Sequence, residues 1–588
     1  MPTFPSQCCA SSAAIPATRR ERGFTFGFAL GFALTAAAWL GACGASTPAA
    51  APRPAVASVE LQPPAQPPQL VIAVVIDQLG SDALRKLEPL LQGGAIAHAR
   101  AHGRVLEHVV YAYAGTLTAP GHAAIYTGVP PARNGVTTNA VVDRETGRRR
   151  AVVDDGQHAI LGVPPPAFAS PNVLRAPTVA DALKQATGGS AKVVSLSIKD
   201  RSAILPAGKH PDVVLWYDAR AGFTTSSYYA SELPEWLTAF TRAYPVLPAS
   251  VSWEVQDGAR LGLLLGPDDA PGEGDYKGLG KTFPHRLREN VHADDLWAHT
   301  PDSSEYLLEL AHESAKQLAL GSDEIPDLLM ISISGTDYSG HVFGPDSWEY
   351  ADHLRRADRA LLRLFERLAE RSRIAVLITS DHGVAPLPER LGAAATGKRI
   401  DSDALEHAVE SALDAAFGAG EWVGGYLEPY LFLSPAARAH PSHAAIRSAA
   451  LKAVRAQTGV ATVYDCEQLE ALRTASGALE QAVLRSIDPK ESGDFFVVVG
   501  QNVVPDIGLV AGAGTTHGSP WAYDTHVPVL MWGDAVTPGK DSEPLEQARV
   551  ASTLAALLGI PAPGDAPRSA LPGVAAPRSG LPNKMSAP

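Results

Sequence analysis

Cysteine is scarce in this chain of 588 residues: there are four, at Cys8, Cys9, Cys43 and Cys466. Basic residues are outnumbered too, 49 Lys and Arg against 62 Asp and Glu, which leaves a formal charge of -13. That balance excludes general nucleic-acid affinity, which needs a basic footprint. It does not exclude a small phosphorylated substrate, because the charge inside a pocket can oppose the net charge. Aromatic residues make up only 7%, yet 46% of the chain is hydrophobic. The core of one large domain, or of two ordinary ones, can be built from that.

The amino terminus reads as an export signal. Arg19, Arg20 and Arg22 precede an apolar run from Gly23 to Leu40, and Leu40-Gly41-Ala42-Cys43 follows. Small residues before a cysteine at the end of such a run resemble the bacterial lipobox. The resemblance implies cleavage before Cys43, a lipid on that residue and a chain anchored at the periplasmic face. Gly44 is not an inner-membrane retention Asp, so the outer membrane is the expected one. An uncleaved membrane anchor is the alternative, since the run is nearly long enough to span a bilayer. With Cys8 and Cys9 removed and Cys43 acylated, Cys466 is left alone: no intramolecular disulfide is possible, and it reads as a small buried hydrophobe.

Residues 44–68, rich in Ala and Pro, read as a disordered spacer. A folded domain is expected over 69–563, and a disordered Pro, Gly and Ala-rich tail after it. The domain opens on Leu70-Val71-Ile72-Ala73-Val74-Val75-Ile76, a continuous β-branched run too short for a buried helix and typical of a strand buried on both faces. A helix is predicted from about Ser81 to Leu91. The grammar recurs at Leu328–Ile333, followed by an amphipathic helix near Trp348 to Glu370, and again at Ile374–Ile378. A late strand is expected over Val527–Trp532 and a closing helix over Leu545–Leu558. Alternating strands and helices predict an α/β fold, a mostly parallel central sheet sandwiched by helices. Two loop-rich stretches, about 205–325 and 384–510, read as insertions capping the strand ends.

Ligands of an open α/β sheet bind beyond the carboxyl ends of its strands, so the residues just after each apolar run carry the information. Asp77 follows the first strand. The second leads to Asp337-Tyr338-Ser339-Gly340-His341, the third to Asp381-His382-Gly383, and Thr515-Thr516-His517-Gly518 lies ahead of the late strand. An Asp closing a strand is ordinarily a cap or a turn residue, and a single His is ordinarily structural. Three Asp and three His at one sheet edge are ligands that zinc accepts, enough for two ions sharing a site. In Thr116-Leu117-Thr118-Ala119-Pro120-Gly121-His122, Thr118 precedes a Pro-containing first turn and can cap a helix starting near Ala119. The N–H groups there favour a bound phosphate. Gly274–Thr282 looks like a phosphate loop, but Asp275 breaks the glycine spacing and no buried strand precedes it.

The Thr-x-Pro-x-His segment, the Asp-x-x-x-His pair, the Asp-His-Gly and the late Thr-His-Gly resemble the alkaline phosphatase superfamily, in its order. That resemblance implies one zinc ion on Asp337, His341 and His517, and a second on Asp77, Asp381, His382 and the Thr118 oxygen. Thr118 would be the nucleophile. His122 and His526 are no ligands in that pattern and read as structural. Ser197-Ile198-Lys199-Asp200-Arg201-Ser202, with Ser226-Ser227-Tyr228-Tyr229 and Tyr523-Asp524-Thr525-His526-Val527-Pro528, is similar to the phosphate-irrepressible alkaline phosphatases. In them the Lys and Arg bind substrate, and an Asn placed like Asn139 donates to a phosphate oxygen. In an extended segment Lys199 and Arg201 would point the same way, and a monoester dianion gains more from two cations than a diester monoanion does.

The resemblance therefore implies zinc-dependent hydrolysis of small phosphate monoesters through a phosphothreonine. A phosphodiesterase or nucleotide pyrophosphatase on the same core is the alternative, lacking the Lys/Arg pair. Arylsulfatases are disfavoured, because Thr118 cannot replace their oxidised Cys or Ser. A lipid-anchored binding protein on an inactive scaffold would have lost a ligand, and none is lost. The oligomeric state is left open, and a monomer is compatible with all of this.

Overall fold

The computed structural model describes residues 67–246, 252–287, 290–392, 397–506 and 509–574. The export segment with Cys43, the spacer up to residue 66 and the end of the tail lie outside the described residues. No described helix is long and apolar enough to cross a membrane.

Leu70–Ile76 forms a strand in which no residue is more than 1% exposed. Successive side chains on a strand point to opposite faces, so this sequence demands cover on both. Leu70, Ile72, Val74 and Ile76 enter one core with the helices Pro301–Gln317 and Trp348–Ala369. Val71, Ala73 and Val75 enter another with the helices Val179–Ala186 and Arg549–Leu557. Leu70–Ile76 pairs in parallel with Asp327–Ile333 on one side and Ile374–Thr379 on the other. The sheet continues in parallel through Val193–Ser197 to Val213–Asp218. On the other side the late strand, His526–Gly533, runs antiparallel to both Ile374–Thr379 and Arg104–Val110. The fold is the expected α/β sandwich around a mostly parallel sheet.

The first interruption is smaller than 205–325. Val213–Asp218 is a sheet strand, and Leu307, Leu308, Leu310 and Ala311 of Pro301–Gln317 belong to the main core. The second builds a lobe of its own. Val423–Leu427, Tyr430–Leu433, Phe495–Val499 and Val460–Asp465 form a four-stranded antiparallel sheet in that order. The helices Ser402–Phe417 and His443–Arg455 cover one face over a separate apolar core. Cys466 is buried on the other face. Around Glu88-Pro89-Leu90 the first helix ends early, at Leu87, because Pro89 forces a short 3-10 turn. The closing helix starts at Arg549, since Leu545–Glu546 joins the sheet. Packing also extends beyond residue 563, contrary to the composition: Leu571 is 1% exposed and Thr553 Oγ1 accepts its N–H at 2.9 Å.

Two buried carboxyls in this scaffold hold their protons far above the usual carboxylate range. Burial pushes Asp358 up to about 7 and Glu273 up to about 8, from about 3.9 and 4.3 in an unfolded chain. Between these limits the fold holds protons that the unfolded chain releases, so the stability they contribute is lost as pH rises through 7 and 8. The urea midpoint of the metal-free protein should fall between pH 6.5 and 9; a rising midpoint would contradict the assignment.

Candidate active site

The parallel strands end at one edge, and their ends carry the chemistry. Asp77 follows Ile76 directly, and Asp381-His382 follows the strand ending at Thr379. After Asp327–Ile333 the helix Gly335–Phe343 starts, and on it Asp337 and His341 lie one turn apart on one face. The late strand is antiparallel, so it begins at this same edge. That brings the preceding Thr516-His517-Gly518 to the site.

Asp77, Asp381 and His382 present ligand atoms within 4.8 Å of one another, and so do Asp337, His382 and His517. His341 Nε2 and His517 Nε2 lie 3.2 and 3.4 Å from Asp337 Oδ1. Each of the three imidazoles is oriented by main chain. His341 Nδ1 donates to Thr515 O at 2.8 Å, His517 Nδ1 to Thr116 O at 2.9 Å and His382 Nδ1 to Gly383 O at 2.9 Å. A carbonyl only accepts, so each Nδ1 carries a proton and each Nε2 is turned toward the carboxylates. Burial lowers His517 and brings His382 to about 3, so both rings are neutral; they stack with centroids 3.5 Å apart.

Thr118 is the first residue of the helix Thr118–Thr127, and Leu117 occupies the cap. Its hydroxyl is therefore not spent on capping, as the sequence suggested, and lies 3.4 Å from His382 Nε2. Asn139 Oδ1 accepts Ala119 N–H at 2.8 Å, which leaves its Nδ2 as a donor beside the helix end. The loop at Asp381 packs directly on this helix: a Cβ at Gly121 would stand 2.7 Å from Asp381 Cβ. His122 has both ring nitrogens occupied, by Thr118 O at 2.9 Å and Ser332 Oγ at 2.8 Å. His526 sits at the start of the late strand beside Thr525 Oγ1, outside both groups.

Lys199 is 2% exposed, with Nζ 2.7 Å from Asp77 Oδ2 and 2.5 Å from Asp337 Oδ2. Burial opposes its charge, but these carboxylates outweigh that and hold the ammonium above its ordinary value. Burial and Asp381 raise Asp77; His341 and Lys199 overcome burial to hold Asp337 well below the usual range. Lys199 caps the helix Asp200–Ala207, with Arg201 in its first turn. The segment is thus not extended, and the two cations come together through the helix start. Arg201 Nε is buried without a partner.

Gln78 was not singled out from the sequence. Its φ of 71° places it in the left-handed region, its N–H donates to Asp381 Oδ1 at 3.2 Å and its Nε2 to Asp337 Oδ1 at 2.8 Å. It thus ties the two groups together; its position right after Asp77 was the available signal. Gln78→Leu should weaken metal affinity by about 10–100-fold, read by competition with a chelator; unchanged affinity would make Gln78 a packing residue only.

The residues fit metal ions. Asp77 Oδ1 and Asp381 Oδ2 are buried without a hydrogen-bond partner, an arrangement that costs stability unless a cation completes it. Carboxylates with neutral imidazoles are the donors zinc prefers.

A family model described as type I phosphodiesterase / nucleotide pyrophosphatase matches residues 71–527. The chain is similar to alkaline phosphatase PhoV of Synechococcus elongatus, 30% identical over 505 residues that cover 84% of this chain and 91% of that one. It is 27% identical to alkaline phosphatase PafA of Elizabethkingia meningoseptica over 522 residues, 85% of this chain and 93% of that one. A crystal structure of wild-type PafA superposes with a TM-score of 0.80 at 26% identity, covering 86% of this chain and 99% of that one.

Proposed function

The chain belongs to the type I phosphodiesterase/nucleotide pyrophosphatase family and, within it, to the PafA-type alkaline phosphatases; from that premise we propose that it hydrolyses phosphate monoesters with two zinc ions and a phosphothreonine intermediate. Phosphoester hydrolysis on a metal core is the family's chemistry, and the finer reading rests on the residues. Asp337, His341 and His517 would hold one ion, and Asp77, Asp381, His382 and Thr118 the other. Bound there, zinc would lower the pKa of the Thr118 hydroxyl and neutralise charge developing on the leaving oxygen. Thr118 Oγ1 attacks phosphorus in line, the bond to the leaving alcohol breaks, and water then cleaves the phosphothreonine to release phosphate. Asn139 Nδ2, Lys199 and Arg201 hold the non-bridging oxygens, fixed donors of the kind that contribute most to such reactions.

The observation carrying the monoester reading is the pair of cations at the helix start, Lys199 buried between the two carboxylate groups and Arg201 next to it. The decisive measurement is kcat/KM of the zinc-loaded enzyme on an aryl phosphate monoester and its matching methyl diester. A monoester preference that collapses in Lys199→Ala/Arg201→Ala supports the assignment. A diester preference would keep the nucleophile and metal residues but favour phosphodiesterase activity, the reading closest to the family model's description. No turnover of either would point to a binding protein. We extend the proposal to location: the Leu-Gly-Ala-Cys order supports a lipid on Cys43, and labelling with a radioactive fatty acid, lost in Cys43→Ala, tests it.

A further inference from the structure

The monoesterase reading, on which this rests, does not by itself say what aims the Lys199 ammonium. A lysine carries its charge on a flexible stem, which has to be held before it can receive a phosphate oxygen. The main chain around it is fixed. Ser197 Oγ accepts the Lys199 N–H at 3.1 Å and lies 3.1 Å from Ser334 Oγ, and the Tyr338 N–H donates to Ser334 O at 3.3 Å. The two segments are thus joined where the helix Gly335–Phe343 begins. The ammonium itself sits on Asp77 and Asp337. Both carboxylates are shared with the ions proposed above, and their pull on Lys199 weakens once those ions bind.

A third contact does not depend on the ions. Lys199 Nζ lies over the face of the Tyr338 ring, 5.0 Å from its centroid. That face is negative and attracts a cation within about 6 Å, more strongly where water is kept out; Lys199 is buried. The ring is itself held in place. His299 packs on it with centroids 5.0 Å apart, and Tyr276 stacks on His299 at 4.7 Å. Asp295 anchors both supports, accepting from the Tyr276 hydroxyl at 3.1 Å and from His299 Nδ1 at 3.3 Å. Burial brings His299 to about 4, so this neighbour is neutral and does not oppose the ammonium. A half-buried tyrosine beside a site is ordinarily packing. Here the hydroxyl makes no hydrogen bond among the described residues, and burial keeps it protonated against the pull of both Lys199 and Arg201. What Tyr338 offers the two cations is its ring.

We propose that Tyr338 is a positioning residue for monoester hydrolysis, its ring face holding the Lys199 ammonium in place for the non-bridging oxygens of the phosphate. The test compares kcat/KM on p-nitrophenyl phosphate with that on its methyl diester in wild type, Tyr338→Phe and Tyr338→Leu. The diester uses the same nucleophile and metal residues but gains less from the two cations. In Tyr338→Leu the monoester-to-diester ratio should fall roughly 5- to 30-fold, the range of a cation on a ring kept from water. Calorimetry should show inorganic phosphate binding weakened by a similar factor, and chelator competition should show zinc affinity unchanged. Tyr338→Phe should keep the ratio and the phosphate affinity, because it keeps the ring. A ratio unchanged in Tyr338→Leu, or one that falls equally in Tyr338→Phe, would overturn the role of the ring. Should Tyr338→Leu misfold or lose zinc, phenylalanine and ring-fluorinated phenylalanine at this position settle the matter, since they share one shape. Fluorine draws negative charge from the ring face, so the ratio should be lower in the fluorinated protein, and equal ratios would sink the proposal. A wild type that prefers the diester overturns the monoesterase reading instead.

Discussion

Thr118→Ala should lower kcat/KM by roughly 10,000-fold to a million-fold, the scale of removing a covalent nucleophile, with metal content unchanged. Thr118 is 1% exposed at the start of its helix, its hydroxyl spent on no backbone cap. Ser380 Oγ, another hydroxyl beside His382, is spent on the His382 carbonyl at 2.7 Å. The helix is set by its own backbone and by the contact of Gly121 with Asp381, so loss of the hydroxyl need not disturb the donors around it. Thr118→Ser should keep most of the activity. Acid quenching during turnover of a radiolabelled monoester should trap phosphate on the chain in wild type and Thr118→Ser but not in Thr118→Ala. A loss of only a few-fold, or no trapped label, would mean that water attacks phosphorus directly.

Chelation should abolish turnover and lower Tm by about 5–10 °C, taking roughly 4 kcal/mol for each site near saturation. Without cations Asp77, Asp337 and Asp381 are crowded in a buried site, with Lys199 bridging Asp77 and Asp337. Full recovery at two equivalents of zinc supports the proposed pair of ions. Recovery at one equivalent, or with magnesium alone, would revise their number or identity. Asp381→Asn should reproduce the loss of activity, because it touches the second group and the Gln78 N–H together.

How much of this was legible follows from how each residue reaches the edge. Asp77, Asp337, Asp381 and His382 follow parallel strands, and hydrophobic runs announce such strands before any fold is known. His517 precedes its strand, and only the antiparallel direction of His526–Gly533 brings it to the same edge. Strand direction is a property of neighbours, not of local sequence, so motif order was the only guide there. Gln78 escaped notice because its role depends on a positive φ and on partners 259 and 303 residues away. Local reasoning also misplaced the start of one helix and took Lys199-Asp200-Arg201 as extended, where the chain turns helical. The strands of the second insertion were missed because Val423–Leu427 and Val460–Asp465 are mixed and the apolar runs Tyr430–Leu433 and Phe495–Val499 are short.

The three imidazoles owe their aim to carbonyls of Thr515, Thr116 and Gly383. A carbonyl is common to every amino acid, so the anchors at Thr515 and Thr116 survive any replacement that keeps the path of the chain, whereas Gly383 must stay glycine because a Cβ there would stand 2.0 Å from Tyr523 O. The ligand field is thereby insulated from mutational drift in its surroundings. Only an insertion, a deletion or a change in loop geometry can tilt a ring. Such a centre can pass through long divergence with its geometry intact.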